Sequence, residues 1–570
     1  MSAADHLAVL LDAQGVEHVF EVAGGTIAPL LDAIHRRGTP RLVSVRHEQA
    51  AAFAAEGAAR MRGVPGVALA TSGPGATNLL TGVASCHFDS VPAVFVTGQV
   101  ATAELGGERD VRQRSFQETD VVAMATPVTK AAWRVGSAAE LPGRLAAAFA
   151  LARDGRPGPV LVDLPMDLQG ADVPPPADDA PVRAAAPLPD PEGLDRALAD
   201  LRAARRPLIL VGGGVRTAGA TDDLRRLVAA LGVPVVHSLL GVDALPFDDP
   251  LRVGMIGTYG NRWANMALGA ADVLLVLGSR LDIRQTGADT AAFAARTIHH
   301  VDCDPAEVNR RVTGCHAVDA DLAAFLRAAV ERAPAAAAAG GWRDEVAALR
   351  ERWPDVAELA GVPGINPNAL MHALSRASGD AAAFVTDVGQ HQMWAAQSLR
   401  LGAGQRFLTS GGMGAMGFGL PAAIGAALAC AAPVVLVAGD GGFQLNLQEL
   451  QTVAHHGLPL KMVILDNGSH GMVRQFQETY FDGRYPSTRW GYSAPDVARV
   501  AAAFGIPATT VSRPDELDAA LAATWRDPAR PHLLRVHIDG DANAYPKLAF
   551  GRPITEMEPL AAPIPLRRGR

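Results

Sequence analysis

The sequence predicts an α/β fold made of three doubly wound parallel-sheet domains. Short apolar runs bounded by glycine, proline or aspartate alternate with longer Ala/Leu-rich stretches of helical periodicity, which is typical of parallel sheets covered by helices. Two breaks in this pattern divide the chain, the Pro/Asp/Ala stretch Val173–Asp190 and the Ala/Gly run Ala333–Gly341. We therefore expect domains at 1–175, 190–335 and 360–545, followed by a C-terminal tail at 546–570.

The predicted strands are short and almost entirely apolar, so we expect both faces of each to be buried. They are Val67–Ala70, Ala93–Thr97, Val160–Asp163, Leu208–Val211, Val273–Leu277, Val434–Val437 and Met462–Leu465. Helical patterns lie between them, as at Glu48–Met61 and Thr221–Leu231. The N-terminus begins as an amphipathic helix that runs into a strand.

Composition and charge exclude several classes of protein. The net charge of −8 argues against a nucleic-acid partner, which requires a basic face, and the basic residues Arg567, Arg568 and Arg570 are expected in a solvated tail. The four scattered cysteines form no CxxC pair, which argues against a zinc site and suits a reducing compartment. The chain has neither an apolar run of about 18 residues nor a secretory signal. We expect a cytoplasmic protein without a membrane partner.

The clearest chemical pattern follows two neighbouring strands of the third domain. The sequence Gly439-Asp440-Gly441-Gly442 comes after Val434–Val437, and Asn467 comes after Met462–Leu465. The carboxyl ends of parallel strands are where open α/β sheets bind ligands. One carboxylate with further oxygen ligands suits Mg²⁺, and the glycines allow backbone N–H groups to approach a diphosphate. For the tetrapeptide alone, a plain strand-to-helix turn is the alternative.

Three motifs together resemble a known family. The pair around Asp440 and Asn467 is similar to the thiamine-diphosphate signature GDG…NN, with Asp466 in place of the first Asn. The stretches Asp387–Gln397 and Ser410–Pro421 resemble acetolactate synthase almost residue for residue, and the likeness runs from about residue 5 to residue 545. The resemblance implies the thiamine-diphosphate-enzyme fold, with thiamine diphosphate and Mg²⁺ as cofactors.

The resemblance also assigns residues of the third domain to these cofactors. The metal ligands would be Asp440, Asn467 and the backbone carbonyl of Ser469. Met416 would support the bent shape of the cofactor, and Gly414 would contact its aminopyrimidine ring. The residues expected at the cofactor are Gly389, Gln390, His391, Gly414, Met416, Gly439, Asp440, Gly441, Gly442, Asn467, Ser469, Gly471 and Met472.

The first domain supplies the catalytic residues that the resemblance implies. Glu48 opens a predicted helix in the sequence RHEQ, where a lone glutamate is usually a surface partner of the helix dipole. The match makes it the catalytic glutamate that binds the aminopyrimidine ring. Gly25 would lie near the reacting centre and Gln117 over the substrate, and Phe116, beside Gln117, is also expected at the catalytic site. In this family the site lies between subunits, which implies a homodimer or homotetramer; a regulatory small subunit is left open.

The middle domain carries elements similar to those of FAD-containing acetolactate synthases. The GGG turn after Leu208–Val211 could cradle a phosphate or could be only a tight turn. The sequence GSRLDIRQTG after Val273–Leu277 resembles the family element GxRxDxR, although Ile283 replaces its second Asp and Ile256 replaces a His elsewhere. We expect FAD to bind, through Gly212, Gly213, Ser238, Leu239, Arg280, Asp282, Arg284 and Asp302.

The predicted substrate pocket leaves the acceptor open. Met472 and Phe476 would line it, and Phe476 stands where biosynthetic relatives have Trp, while Met166 replaces a common Lys. The expected function is decarboxylation of pyruvate and transfer of the two-carbon unit to a second carbonyl compound. Branched-chain amino acid synthesis is one setting; a carboligase for another aldehyde or ketone, such as a keto-sugar, is an alternative.

Two other classes are less consistent with the sequence. Simple 2-oxo-acid decarboxylases usually carry an HH pair in the catalytic region, whereas His299-His300 falls in the middle domain, where we expect it at a strand edge. A non-catalytic scaffold would have no need of Glu48, Asp440 and Asn467 together.

Overall fold

The computed structural model describes residues 1–105, 111–176, 187–294, 296–333 and 340–565. Within these ranges the chain forms three six-stranded sheets whose paired strands all run parallel, with helices packed against them, which confirms the predicted fold class. Residues Arg567, Arg568 and Arg570 lie outside the described part, as do parts of Val173–Asp190 and Ala333–Gly341. None of the described helices is long and apolar enough to span a bilayer.

The first sheet is built by the N-terminal residues. Its strands are β1 (His18–Glu21), β2 (Arg41–Ser44), β3 (Gly66–Ala70), β4 (Ala93–Gln99), β5 (Ala131–Arg134) and β6 (Pro159–Pro165). Its helices are α1 (Ala3–Ala13), α2 (Ala28–Arg37), α3 (Glu48–Arg62), α4 (Pro74–Phe88), α5 (Val121–Ala125), α6 (Leu141–Arg153) and α7 (Met166–Gln169). The strand order is β2-β1-β3-β4-β6-β5, and β3, β4 and β6 are buried along their whole length, as their apolar sequences predict.

The second sheet has the order β12-β11-β10-β7-β8-β9. Its strands are β7 (Pro207–Val211), β8 (Val235–His237), β9 (Arg252–Met255), β10 (Val273–Leu277), β11 (Thr297–Asp302) and β12 (His316–Asp319). Its helices are α8 (Pro191–Ala203), α9 (Gly213–Thr217), α10 (Thr221–Leu231), α11 (Arg262–Ala270), α12 (Ile283–Thr286), α13 (Ala291–Ala294), α14 (Leu322–Arg332) and α15 (Gly340–Arg352). Helix α15 packs on this unit, since the indole N–H of Trp342 donates to the Pro207 carbonyl.

The third sheet has the order β14-β13-β15-β16-β18-β17. Its strands are β13 (Ala383–Thr386), β14 (Arg406–Thr409), β15 (Val434–Gly439), β16 (Leu460–Asp466), β17 (Ala508–Val511) and β18 (His532–His537). Its helices are α16 (Pro367–Ala377), α17 (Gln390–Ser398), α18 (Gly419–Cys430), α19 (Asp440–Phe443), α20 (Leu450–His456), α21 (Gly471–Tyr480), α22 (Val497–Ala503) and α23 (Leu517–Thr524). Strands β15 and β16 are neighbours, so Asp440 and Asn467 follow adjacent strand ends.

The segment predicted as a C-terminal tail packs back on the middle unit. It forms a two-stranded antiparallel hairpin, β19 (Lys547–Leu548) and β20 (Met557–Glu558). The guanidinium of Arg262 donates to the backbone carbonyls of Met557 and Glu558. The bounds of the domains themselves stay a prediction, but the described part of this segment is bound to the body of the protein.

One expectation about the middle unit was wrong. His299 and His300 do not lie at a strand edge: both are buried within β11, which has β10 on one side and β12 on the other. Each ring is bound through one nitrogen, His299 to the Asp200 carboxylate and His300 to the Ser279 carbonyl. Two adjacent histidines are compatible with a buried strand when such hydrogen-bond partners are present.

The first and third units meet through two helices that approach very closely. A Cβ atom added at Gly57 of α3 would lie 2.2 Å from the Ala422 carbonyl oxygen, and one added at Gly425 of α18 would lie 1.9 Å from that of Ala54. No side chain can be accommodated at either distance. Because α3 begins at Glu48, this contact determines where the first catalytic candidate stands relative to the third unit.

We predict that Gly425→Val lowers the free energy of unfolding by about 1–3 kcal/mol, since overpacking of a tight contact forces the helices apart. Thermal unfolding followed by circular dichroism measures the effect. The matched control is Gly143→Ala in α6, where an added Cβ meets nothing within 4 Å and the gain in helix propensity is about 0.5–1 kcal/mol. Equal melting temperatures for the two variants would contradict the proposed role of this contact.

Candidate active site

One loop of the first unit contacts three of the four predicted catalytic positions or their immediate neighbours, those of Glu48, Gly25 and Gln117. The loop runs over residues 71–78, between β3 and the first turn of α4. The amide of Asn78 donates to Glu48 Oε2 at 2.9 Å, and the Thr71 and Thr26 hydroxyls are 2.9 Å apart, which anchors the turn that contains Gly25. A Cβ atom on Gly73 would lie 3.0 Å from Cβ of Gln117.

Glu48 is buried rather than a surface partner of a helix dipole. It is 8% exposed at the first position of α3, where His47 caps the helix by accepting the N–H of Gln49. Its Oε2 is engaged by Asn78, whereas no described residue donates a hydrogen bond to Oε1. A buried carboxylate with one bound and one free oxygen is suited to share a proton with a ligand.

The two other positions near this loop are more open. Gly25 has nothing within 4 Å of the place where a Cβ would stand, so space remains above it. Gln117 adopts a positive φ of 63°, and the neighbouring ring of Phe116 is 85% exposed. Phe116 therefore lies at the surface of the single chain, beside the residue predicted to lie over the substrate.

The predicted cofactor residues of the third unit meet at the carboxyl edge of its sheet. The amide of Asn467 donates to Gln390 Oε1 at 3.3 Å, and a Cβ atom on Gly471 would lie 1.9 Å from that same oxygen. A Cβ atom on Gly439 would lie 3.1 Å from Nδ1 of His391. The strand ends and the start of α17 therefore form one cradle. At Gly471, and to a lesser degree at Gly439, a side chain would collide with the residues of this cradle.

Burial controls the electrostatics of this cradle. Burial raises the pKa of Asp387 to about 6, although its carboxylate accepts the N–H groups of Val388, Gly417 and Gly419. Burial also lowers the pKa of His391 to about 4, which leaves a neutral ring. Its Nε2 is buried and has no hydrogen-bond partner among the described residues. A buried nitrogen without a partner, on a ring that lies against the cradle, is consistent with a site for a polar ligand.

Asp440 and Asn467 fit a magnesium site of the predicted kind. Burial raises the pKa of Asp440 to about 7, because a carboxylate without a cation is costly to bury. The hydroxyl of Tyr492 donates to Asp440 Oδ2 at 2.8 Å. The Ser469 carbonyl accepts the N–H of Gly471, and its hydroxyl is buried without a partner in the described chain. The described residues contain no cluster of three His, Cys, Asp or Glu side chains able to hold a metal, so the donor set here is carboxylate, amide and carbonyl.

A second feature is a long cleft where the three units meet. Its cavity volume is about 210 Å³. Its lining includes most of the residues predicted to bind FAD, namely Gly213, Ser238, Leu239, Arg280, Asp282, Arg284 and Asp302, together with Gly414 from the third unit. Most of the residues predicted to bind FAD therefore line one cleft that residues of all three units bound.

The cleft has a polar end built by the middle unit. Arg280 pairs with Asp282 at 3.2 Å, and Asp282 caps α12 by accepting the N–H groups of Arg284 and Gln285. Burial raises the pKa of Asp302, which also accepts the backbone N–H of Asp304. Gly212 is not among the described lining residues; an added Cβ there would lie 2.0 Å from the Gly278 carbonyl oxygen, so this glycine permits two strand ends to touch.

Sequence reasoning missed two residues of these sites. Arg156, from the turn between α6 and β6, lines the cleft and binds Asp304 at 3.0 Å and Glu307 at 2.5 Å across the domain boundary. Tyr492 reaches Asp440 from a loop far along the chain. The Gly-Arg-Pro-Gly sequence around Arg156 was a possible signal for a turn, but nothing local predicts the position of Tyr492.

The predicted substrate residues lie on α21, beside the cofactor cradle. Met472 is half-buried, and Phe476 is 45% exposed with its ring centroid 4.7 Å from that of Tyr480. The helix is anchored by Arg474, whose buried guanidinium donates to Asn543 Oδ1 at 2.6 Å. Phe476 is therefore not a core residue; it belongs to a surface aromatic group next to the cradle.

Comparison with protein families identifies all three units. Profiles described as the N-terminal TPP binding, central and C-terminal TPP binding domains of thiamine pyrophosphate enzymes match residues 1–124, 194–329 and 387–536. Fold, cradle and family profiles together define a thiamine-diphosphate enzyme.

Relatives that match over nearly their full length show which family of thiamine-diphosphate enzymes the chain belongs to. The chain is 40% identical to the acetolactate synthase isozyme 2 large subunit of Escherichia coli over 98% of this chain and 99% of that protein. It is 39% identical to the acetolactate synthase large subunit of Parasynechococcus marenigrum, over 96% and 90% of the two chains. It is 37% identical to the acetolactate synthase large subunit of Corynebacterium glutamicum, over 97% and 89%. The chain belongs to the acetolactate synthase family, which confirms the predicted family and the prediction that the protein is an enzyme.

Proposed function

We propose that the protein is a thiamine-diphosphate-dependent carboligase. It would decarboxylate pyruvate and join the two-carbon fragment to the carbonyl of a second 2-oxo acid, giving acetolactate when that acid is also pyruvate. The observation that carries the proposal is the placement of Asp440 and Asn467 at the ends of adjacent parallel strands, in a chain that also buries Glu48. The full-length likeness does not favour a keto-sugar acceptor or a simple decarboxylase.

The cradle fits thiamine diphosphate and Mg²⁺. Asp440, Asn467 and the Ser469 carbonyl would hold the cation, which would in turn relieve the buried charge of Asp440. The orphaned His391 Nε2 and the Gly439–Gly442 turn would face the diphosphate. Gly414 and Met416, on the loop before α18, would support the rest of the cofactor.

The residues of this chain would then act as follows. Bound thiamine diphosphate supplies the electron sink that decarboxylation of a 2-oxo acid requires. Glu48 would hold a proton at Oε1, because Asn78 occupies Oε2 and fixes the orientation of the carboxylate. Its burial keeps water away from that proton. Gln117 and the open position above Gly25 would bound the space for the substrate.

We further propose that two copies of the chain complete the site. The family resemblance implies that Glu48 serves the cofactor of a second copy, and its Oε1 has no hydrogen-bond donor among the described residues. The exposed Phe116 supports a covered surface nearby. A homodimer or homotetramer follows, and a small regulatory partner is consistent with the names of relatives, which are large subunits. A cytoplasmic location is supported by four cysteines that are all free.

FAD is the proposed occupant of the cleft where the three units meet. The donors suit a nucleotide, since Gly213 and Gly214 open α9 at one side and the Arg280–Asp282 pair stands at another. Ile256 lies in the lining and Ile283 is largely exposed, so both departures from the family pattern leave this polar set intact.

Replacing Glu48 by Gln should reduce turnover to background while the fold persists, because an amide cannot take up the proton that the carboxylate shares. Steady-state carboligation and thermal unfolding are measured on the same samples. Glu192→Gln, an exposed glutamate in the first turn of α8, is the control and should retain full activity. An active Glu48→Gln enzyme would remove Glu48 from the mechanism.

The FAD proposal predicts a flavin absorbance that survives gel filtration after reconstitution. Arg280→Gln should weaken FAD binding by about tenfold or more, which corresponds to about 1.4 kcal/mol or more, by removing a guanidinium that lines the cleft. Arg513→Gln is the control variant. Arg513 also pairs with an aspartate two residues later in the sequence, but this pair is exposed to solvent. If wild-type protein releases all flavin, or if both variants bind it equally, the assignment is wrong.

Phe476→Trp should change the choice of acceptor rather than the stability of the protein. The exposed ring leaves room for a larger one, and a difference of about 1.4 kcal/mol at the second transition state changes product choice about tenfold. We expect a higher ratio of 2-oxo-acid products to aldehyde adducts at an unchanged rate of pyruvate decarboxylation. Parallel quantification of both product classes tests this. A uniform fall in all rates with a lower melting temperature would show that Phe476 only fills space.

A further inference from the structure

Three arginine side chains surround one phenylalanine ring between the middle and third units. The guanidinium carbons of Arg252, Arg350 and Arg400 lie 5.0, 4.9 and 5.0 Å from the ring centroid of Phe247. They come from separate elements, since Arg252 opens β9, Arg350 lies in α15 and Arg400 follows α17. The backbone N–H of Phe247 donates to the Leu401 carbonyl, so the cluster joins the two units.

The nearby carboxylates neutralise only part of this charge by direct contact. Asp248 pairs with Arg400 at 2.5 Å. Asp249 accepts a backbone N–H group of its own loop, and Asp355 binds the imidazole of His372 at 2.8 Å. A contact with an aromatic face is worth only about 0.5–2 kcal/mol to a cation, which does not replace an anionic partner.

Arg252 is the most unusual member of the cluster. It is 5% exposed, and its Nε is a buried donor without a partner. Within the described residues, neither Arg252 nor Arg350 donates a side-chain hydrogen bond. Burial, together with the charge of Arg350, lowers the pKa of Arg252 to about 9, so the group is still a cation at neutral pH. A buried guanidinium offers five N–H donors, and leaving them unsatisfied is costly.

We propose that Arg252, Arg350 and Arg400 form a binding site for a small oxyanion, a phosphate or a carboxylate. Planar guanidinium groups match both kinds of anion through paired hydrogen bonds. Arg400 has a side chain that is 46% exposed, so the cluster meets solvent at this arginine. Because α17 begins with Gln390 and His391 and ends two residues before Arg400, the anion would connect the middle unit to the helix that carries the cofactor cradle.

The test is isothermal titration of the holoenzyme, loaded with thiamine diphosphate, Mg²⁺ and FAD, with inorganic phosphate and separately with malonate at constant ionic strength. We expect saturable binding of at least one anion, weakened about tenfold or more in Arg252→Met. Arg513→Gln, a solvent-exposed arginine, should bind like the wild type. Phosphate binding alone identifies a phosphate site, and malonate binding alone identifies a carboxylate site.

If Arg252→Met alters folding, the melting temperature with and without the anion still tests the proposal. The wild-type melting temperature should rise with the bound anion, whereas Arg252→Met should lack this rise and should melt no lower than the wild type in anion-free buffer, since an unpaired buried charge is gone. Arg400→Gln, at the exposed side, should also bind more weakly. The proposal is overturned if the wild type binds neither anion, which is the result expected if a carboxylate of a second protein occupies the cluster. It is also overturned if the wild type binds an anion and neither Arg252→Met nor Arg400→Gln weakens that binding.

Discussion

The contact between helices α3 and α18 fixes the unit that carries Glu48 against the unit that carries Asp440 and Asn467, and so determines where one chain presents each half of the candidate site. Glycines stand where the backbones touch, at Gly57 and Gly425, and the rings of Phe53 and Phe418 meet edge to face at 5.4 Å beside them. Such close contacts have little freedom to slide, because every displacement brings backbone atoms together. The position of Glu48 at the start of α3 is thus tied to the sheet whose strand ends carry Asp440 and Asn467.

Buried charges strengthen the same junction. Arg60 of α3 pairs with Glu56 at 2.5 Å and with Asp89 at 2.7 Å, and the Asp89 carboxylate also accepts the N–H groups of Gly411 and Gly412. This network crosses from the first unit to the loop before α18. Removing one member would leave an unpaired buried charge, so we regard it as a device for holding the loop of Gly414 in place rather than as a large source of stability.

The sequence was informative wherever a local pattern determines the structure. All seven predicted strands fall inside observed strands, because buried parallel strands read as continuous apolar runs. Asp440 and Asn467 were predictable for a related reason, since residues after adjacent strands share one edge of the sheet. The long-range contacts were not predictable. Tyr492 meets Asp440 although the two are far apart in the sequence, and Arg156 lines the cleft shared by all three units. The hairpin Lys547–Glu558 binds the middle unit. Each depends on tertiary packing that no local periodicity encodes.

The most direct test of the carboligase is the product formed from carbon-13-labelled pyruvate, followed by NMR with thiamine diphosphate and Mg²⁺ present. The structure and the family predict loss of carbon dioxide together with a new bond between a two-carbon fragment and a second carbonyl carbon, seen as coupling between labelled carbons in acetolactate. Formation of acetaldehyde alone would indicate a simple decarboxylase. Pyruvate that stays unchanged in the presence of both cofactors would contradict the proposed activity altogether.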